Sequence, residues 1–583
     1  MGDRDQGSCH HAGLIMAHIR QSMVRALVLA SLTVIAGCGH LPASPVAIQH
    51  CESLQGARID ATRIGLPTRG AVVDSSQVAP AVAPYQDAEG EHLLETPARC
   101  LVLGRIEAVD PAAPPIRFAI NLPLSNWNGR ALQSGGGGLG GQLITAPRNK
   151  ASGRFDPNPV TEPYPITRGY VTFGSDNGHP PMSFEWSRSD EAMRNFAHEE
   201  LKKTKDVAMA VIVAAYGRKP SYVFFNGESA GAREALRAAQ VYPQDYDGVI
   251  ATSPVLNWNA NHLSDNVLRT RLVDGFLDVA AVKLVADDAR ARCDAADGLA
   301  DGVIGRYLEC PNDLARLTCR PGVAQAACLT PAQIDAVRAH REPYAVPVPL
   351  AHGVTHFPGY RVTGDEDGAR WQWRFYVTGE EPPSRDLTPG LGWEQRRGGI
   401  LNFASWWVRH GIARDPAVNP VGFDPKKYEG RIRELSTWFD ATDPDLSRFA
   451  ARGGKLIIIH PSADNATPLS ASAEYVDRVV QTMGQQATDR FLRFYVPVGG
   501  SHNVGGTSQL SALTMLEDWV LRNQVPSDAP VAYDLSLTDG AFRASRPACR
   551  YPTYPHYKGA GDVKRAESFE CRPRAGWSMR DAR

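Results

Sequence analysis

The chain has 583 residues, enough to bury a large core and to hold more than one domain. Its 62 basic and 63 acidic residues nearly cancel, so no broad field marks nucleic acid or an anionic membrane surface as a partner.

Residues 1–15 are polar and His-rich, and the expected translation start is Met16 or Met23. Met23-Val-Arg followed by residues 26–36 has the basic and apolar regions of a signal peptide and is too short to span a bilayer. It ends in Ile35-Ala36-Gly37-Cys38, similar to a bacterial lipobox, whose cysteine is lipidated after cleavage; an ordinary signal peptide with a nearby cysteine is the alternative. The expectation is export, either to the periplasm or as an outer-membrane lipoprotein anchored at Cys38 to a bacterial membrane, with secretion as the alternative. Beyond Cys9 and Cys38 lie Cys51, Cys100, Cys293, Cys310, Cys319, Cys328, Cys549 and Cys571. An even set in an oxidising compartment argues for a disulfide framework, although eight cysteines allow 105 pairings. Closeness in sequence favours 51 with 100, 293 with 310, 319 with 328, and 549 with 571. No pair has the Cys-x-x-Cys spacing of a zinc site.

Residues 44–94, rich in Ala, Pro and Val, read as an irregular lead-in. Residues 100–122 alternate apolar and polar, as an antiparallel strand pair would. Residues 131–134 precede Gly135-Gly136-Gly137-Gly138. That run is either a flexible loop or, in a hydrolase, the source of one oxyanion-hole N–H, expected at Gly135, with the residue after the nucleophile, Ala230, supplying the other. Residues 170–174 form a further strand followed by the loop 175–179, and 190–216 an amphipathic helix. Residues 222–225 are a short aromatic and β-branched run. Gly227-Glu228-Ser229-Ala230-Gly231 follows, and then the strong helix formers 233–240. Gly-x-Ser-x-Gly between a strand and a helix is a nucleophile elbow, with Ser229 lifted above the sheet at a helix N-terminus. Residues 249–253 are the next strand, and strands alternating with helices indicate a parallel sheet.

The α/β rhythm breaks over 256–452, read as a large inserted lid domain between a first catalytic part, 39–255, and a second, 453–583. Within it Asp294, Asp297 and Asp301 lie on a tightly turning loop, offering hard oxygen ligands that suit Ca²⁺, with the carbonyls of Leu299 and Val303 completing the shell. A solvated acidic loop is the alternative. The sheet resumes at 455–460, and Asp464 lies just after that strand, where the acid of a catalytic triad belongs. Residues 491–498 are the last core strand, with His502 in the glycine-rich loop behind it. The order Ser229, Asp464, His502 is that of α/β-hydrolases.

These motifs resemble the tannase and feruloyl esterase family, which includes hydrolases of mono(2-hydroxyethyl) terephthalate. The resemblance runs from about Cys51 to Cys571 and rests on WNGRALQSGGGG, GESAGAREAL with YPQDYDGVIA, CDAADGLADGVI, the Asp464 and His502 loops and SRPACRYPTYPHYKGAGD. It implies an α/β-hydrolase fold with a lid, a Ser-His-Asp esterase acting on small aromatic esters, structural Ca²⁺ held by Asp294, Asp297, Leu299, Asp301 and Val303, and the four local disulfides. One departure stands out. The family usually carries cysteines just before the nucleophile and just after the catalytic histidine, joined as a disulfide, and here those places hold Glu228 and Asn503. A hydrogen bond between Glu228 and Asn503 is the expected replacement.

Trp371, Trp373, Phe403, Trp406 and Trp407 offer stacking surfaces for a flat acyl group, or are lid core. Arg397 or Arg396 would pair with a free carboxylate on a terephthalate-like monoester, or is a surface charge. A peptidase or acyltransferase using the same triad, and a non-catalytic calcium-stabilised surface lipoprotein, are the competing readings.

Overall fold

The alternation of β-branched runs with amphipathic helices builds one eleven-stranded sheet. In this computed structural model residues 48, 50–88, 90–145, 158–181, 183–322, 327–368, 372–385, 397–502 and 505–574 are described. The expected signal segment and lipobox, residues 1–38, lie outside them. Taken in chain order, the strands are β1 (Arg58–Ile59), β2 (Ala71–Ala79), β3 (Arg99–Ile106), β4 (Ile116–Pro123), β5 (Arg130–Ser134), β6 (Val171–Ser175), β7 (Tyr222–Glu228), β8 (Gly248–Thr252), β9 (Lys455–Ile459), β10 (Leu492–Val496) and β11 (Cys549–Arg550). Their spatial order is β1-β2-β3-β4-β6-β5-β7-β8-β9-β10-β11. The six strands from β6 to β10 in that order run parallel, while β1 to β4 at one edge and β11 at the other join antiparallel. This is an α/β-hydrolase-like fold.

The parallel strands read as nearly unbroken apolar runs because both faces are covered. Phe225, Val249 and Leu456 meet Leu236 and Ala239 of helix α1 (Ala230–Val241) on one face. Their neighbours Phe224, Ile250 and Ile457 meet Leu513, Leu516 and Trp519 of a late helix, Ala512–Arg522, on the other. The lead-in departs from expectation: residues 71–79 form a nine-residue strand paired with β3. Their short side chains carry weak local signal, and the ladder with β3 decides their conformation. The long helix is interrupted, with a wide turn over Asn195–Glu199 before Glu200–Tyr216.

Between β8 and β9 the insertion is mainly helical. It includes Trp258–Asp274 and Gly399–Trp406, and among the described residues its strands are a two-stranded pair, Tyr344–Ala345 with His356–Phe357. Its aromatic side chains share one core with the sheet domain: Trp406, Trp407 and Phe439 pack with Phe184, Trp186 and Phe196. The described residues accordingly belong to one unit, Pro45–Arg583. All four expected disulfides are formed, 51–100, 293–310, 319–328 and 549–571.

Candidate active site

β7 ends in a turn that puts Ser229 at φ 57° and ψ −121°, a strained conformation for a residue with a Cβ. The turn closes only because its flanking residues are glycines. A Cβ on Gly227 would lie 2.0 Å from the Gly231 carbonyl oxygen, and one on Gly231 would lie 2.3 Å from that of Gly136. The Ser229 N–H donates to the Thr252 carbonyl at the end of β8, at 2.9 Å, so the strained residue is anchored through its backbone.

The loops after β9 and β10 bring two further side chains to it. His502 Nε2 lies 3.0 Å from Ser229 Oγ, and its Nδ1 lies 2.8 Å from Asp464 Oδ2. Both ring and carboxylate are buried, at 6 and 4 % exposure. The Asp464 carboxylate also accepts the Ala466 and Thr467 N–H groups, each at 2.9 Å, and the Thr467 hydroxyl at 2.8 Å. Burial by itself would raise this carboxyl; the facing His502 charge and the hydrogen bonds from His460 and His502 outweigh it and hold the group well below the usual carboxylate range. The insertion grips the same loop. Trp373 Nε1 donates to Asn465 Oδ1 at 3.1 Å, the Tyr360 hydroxyl donates to the Ala466 carbonyl at 3.0 Å, and the Tyr376 ring meets His502 edge-on at 5.4 Å. Tyr376 carries no periodicity that sequence reasoning could have used; its place comes from the packing of the insertion.

The glycine loop requires a correction. Gly135 N–H, the expected oxyanion donor, continues the ladder to β7 by donating to the Asn226 carbonyl at 2.9 Å. Gly136 N–H donates to Glu234 Oε2 at 2.8 Å. Among the described residues Gly137 N–H has no partner, and neither has Ala230 N–H. Four identical glycines gave no signal to choose among them, because their partners lie far along the chain. A cavity of about 280 Å³ opens beside this loop, lined by Gly136, Gly137, Leu139, Ile144, Phe184 and Phe403 among others. Its wall includes none of the three residues Ser229, Asp464 and His502.

Phe403 is therefore at the cavity, and Trp406 is not. Trp406 is 1 % exposed, with rings of Phe184, Trp186 and Trp407 within 6 Å, so it is core rather than a stacking surface. Trp373 and Trp407 are likewise buried. Arg397, expected either to meet a substrate carboxylate or to be a surface charge, pairs with Glu381 at 2.8 Å. Trp371, Arg396 and Asn503 lie outside the described residues, and with Asn503 the expected bond to Glu228.

The acidic loop lies next to the site. Asp294 accepts N–H groups from Asp301 and Gly302, Asp297 from Leu299 and Gly305, and Asp301 from Val303. The Arg546 guanidinium pairs with Asp301. Among the described residues no three His, Cys, Asp or Glu side chains converge as a metal centre. The chemistry of the donor set nevertheless fits a hard cation. Burial, with the Asp301 charge adding to it, pushes the Asp297 carboxyl up to about 7, as expected of a carboxylate short of positive charge. The loop also touches the catalytic side: Val303 methyls sit 3.0 Å from where a Cβ on Gly499 would be, three residues before His502.

The family described as tannase and feruloyl esterase matches residues 100–572. An uncharacterized esterase of Agrobacterium fabrum is 33 % identical over 96 % of this chain and 99 % of its own. The mono(2-hydroxyethyl) terephthalate hydrolase of Piscinibacter sakaiensis is 26 % identical over 82 % of this chain and 85 % of its own. Among solved structures, feruloyl esterase B from Aspergillus oryzae superposes with a TM-score of 0.71 at 22 % identity, covering 90 % of this chain and 99 % of that one.

Proposed function

The chain belongs to the tannase and feruloyl esterase family and is a carboxylic ester hydrolase, and from that premise we propose that it cleaves small aromatic esters through an acyl-enzyme on Ser229. The observation that carries this reading is the continuous hydrogen-bonded line from Asp464 through His502 to Ser229. His502 Nε2 takes the Ser229 proton as the hydroxyl attacks the ester carbonyl, then returns it to the departing alkoxide. Asp464 fixes the tautomer that leaves Nε2 free to act as base and stabilises the imidazolium. The N–H groups of Ala230 and Gly137 hold the developing oxyanion. Water, activated by the same histidine, releases the acid. With family membership the non-catalytic binding-module reading loses its support.

For the acyl group we favour neutral aromatic acids of the hydroxycinnamic or gallic type. The cavity wall beside the glycine loop is largely apolar with Phe403 in it, and the Arg397 guanidinium already has Glu381. A terephthalate monoester, suggested by the Piscinibacter relative, is the alternative. Hydrolysis of methyl ferulate, methyl gallate and mono(2-hydroxyethyl) terephthalate by the purified protein separates them. We expect kcat/KM at least tenfold higher for a neutral ester; a preference for the terephthalate monoester would overturn the choice of acyl group. The four disulfides support an exported protein, with Cys38 as the proposed lipid anchor.

We further propose that Asp294, Asp297 and Asp301, with the carbonyls of Leu299 and Val303, hold Ca²⁺. The ion would add positive charge to three carboxylates that have only the Arg546 guanidinium beside them among the contacts described and stiffen the segment that packs on Gly499. At saturating calcium, ligation of about 100-fold excess over Kd adds about 2.7 kcal/mol. Chelation by EGTA is accordingly expected to lower the Tm by about 2–3 °C for a unit of this size, and Asp297→Asn to abolish that response. An unchanged Tm on chelation would overturn the assignment.

A further inference from the structure

Beneath the glycine loop lies a buried polar network that the mechanism above does not use. Glu234, on α1 and 1 % exposed, accepts Gly136 N–H on Oε2 and Asn177 Nδ2–H on Oε1, each at 2.8 Å. Asn177, in the loop after β6, is held at φ 61°. Its Oδ1 fills the space where a Cβ on Gly136 or on Gly140 would come within 2.6 Å, so it is wedged between the two ends of the loop. The Asn177 amide also reaches Glu200 Oε1 at 3.4 Å, and Glu200 Oε2 shares a hydrogen bond with Ser175 Oγ. Two buried carboxyls bridged by one amide do not both ionise, and their neighbours decide which keeps the proton. Burial raises the Glu234 carboxyl too, but the Arg233 guanidinium at 3.8 Å and N–H donors on both oxygens oppose it, so of the two it is the carboxylate. Glu200 faces the hydroxyls of Ser175 and Thr204, and burial together with the Glu234 charge pushes it well above the usual carboxyl range.

Resting on the esterase reading above, we infer that Glu234 is a positioning residue: by drawing Gly136 N–H inward and clamping Asn177, it fixes the loop so that Gly137 N–H is the donor left for the oxyanion. A carboxylate suits this task because both contacts need an acceptor. A glutamine has one acceptor and one donor end, so one of its ends would confront an N–H with an N–H, leaving buried groups unpaired. The consequence falls on the transition state, where the oxyanion exists, and not on ground-state binding.

The test compares wild type, Glu234→Gln, and the double variant Glu234→Gln/Asn177→Asp, which restores a matched set: the glutamine oxygen accepts Gly136 N–H, its amide donates to the aspartate, and the protonated Glu200, which accepted from the Asn177 amide, donates to the aspartate instead. Aspartate tolerates the left-handed conformation that Asn177 adopts. For Glu234→Gln we expect kcat to fall on the order of 10²-fold, KM to stay within about threefold, and the Ki of an arylboronic acid, which forms a tetrahedral adduct on Ser229, to weaken in step with kcat. The double variant should recover most of both. Unchanged kcat and Ki in folded Glu234→Gln, a loss carried by KM, or a folded double variant without recovery would each overturn the inference. If Glu234→Gln does not fold, Asn177→Ala must show the same kcat-selective loss or the inference fails. Wild-type protein that turns over esters and loses that activity in Ser229→Ala keeps the two questions apart, because inert wild type overturns the esterase reading itself.

Discussion

Replacing Ser229 with alanine is expected to lower kcat about 10⁴-fold or more and to abolish labelling by a fluorophosphonate. The fold should be little affected. The residue's conformation is set by its N–H bond to Thr252 and by the flanking glycines, not by its hydroxyl, and the side chain's hydrogen bond to His502 is an active-site contact at 3.0 Å. Equal melting temperatures with lost turnover would place the loss in the chemistry. Turnover that survives in the alanine variant would remove Ser229 as the nucleophile and with it the acyl-enzyme.

Asp464→Asn is expected to cost about 10⁴-fold in kcat. Asp464 Oδ1 accepts two backbone N–H groups, from Ala466 and Thr467, so an asparagine would keep its oxygen there and turn its amide toward His502. An N–H facing Nδ1 selects the imidazole tautomer with its proton on Nε2, which cannot accept a proton from Ser229. Stability gives a second readout. Because the folded Asp464 carboxyl lies below its unfolded value, its contribution is present at neutral pH and is lost as pH falls below about 4. The wild type should therefore lose more stability on acidification than the asparagine variant does. Activity retained in Asp464→Asn, measured beside wild type at the same pH, would show that another group orients His502.

The two predictions rest on residues that were visible in the sequence, because each is marked by its immediate neighbours. A strand, a turn that only glycine permits, and a helix surround Ser229. Asp464 and His502 each follow a short apolar run, and the chain order of the three is itself a signal. The disulfides were legible for a similar reason, since partners 9 to 49 residues apart leave few sensible pairings.

What the sequence could not decide was how groups distant in the chain divide the available contacts. Gly135 to Gly138 are chemically identical, and only the reach of Asn226 and Glu234 shows that two of their N–H groups are already used. Phe403 and Trp406 sit three residues apart on one helix; one lines the cavity and the other is sealed among Phe184, Trp186 and Trp407. Arg397 is an open cation in sequence and half of an ion pair in space. Local backbone geometry and chain order are written in neighbouring residues, whereas which donor is left unpaired and which ring is left exposed depends on long-range packing, and only the tertiary structure settles it.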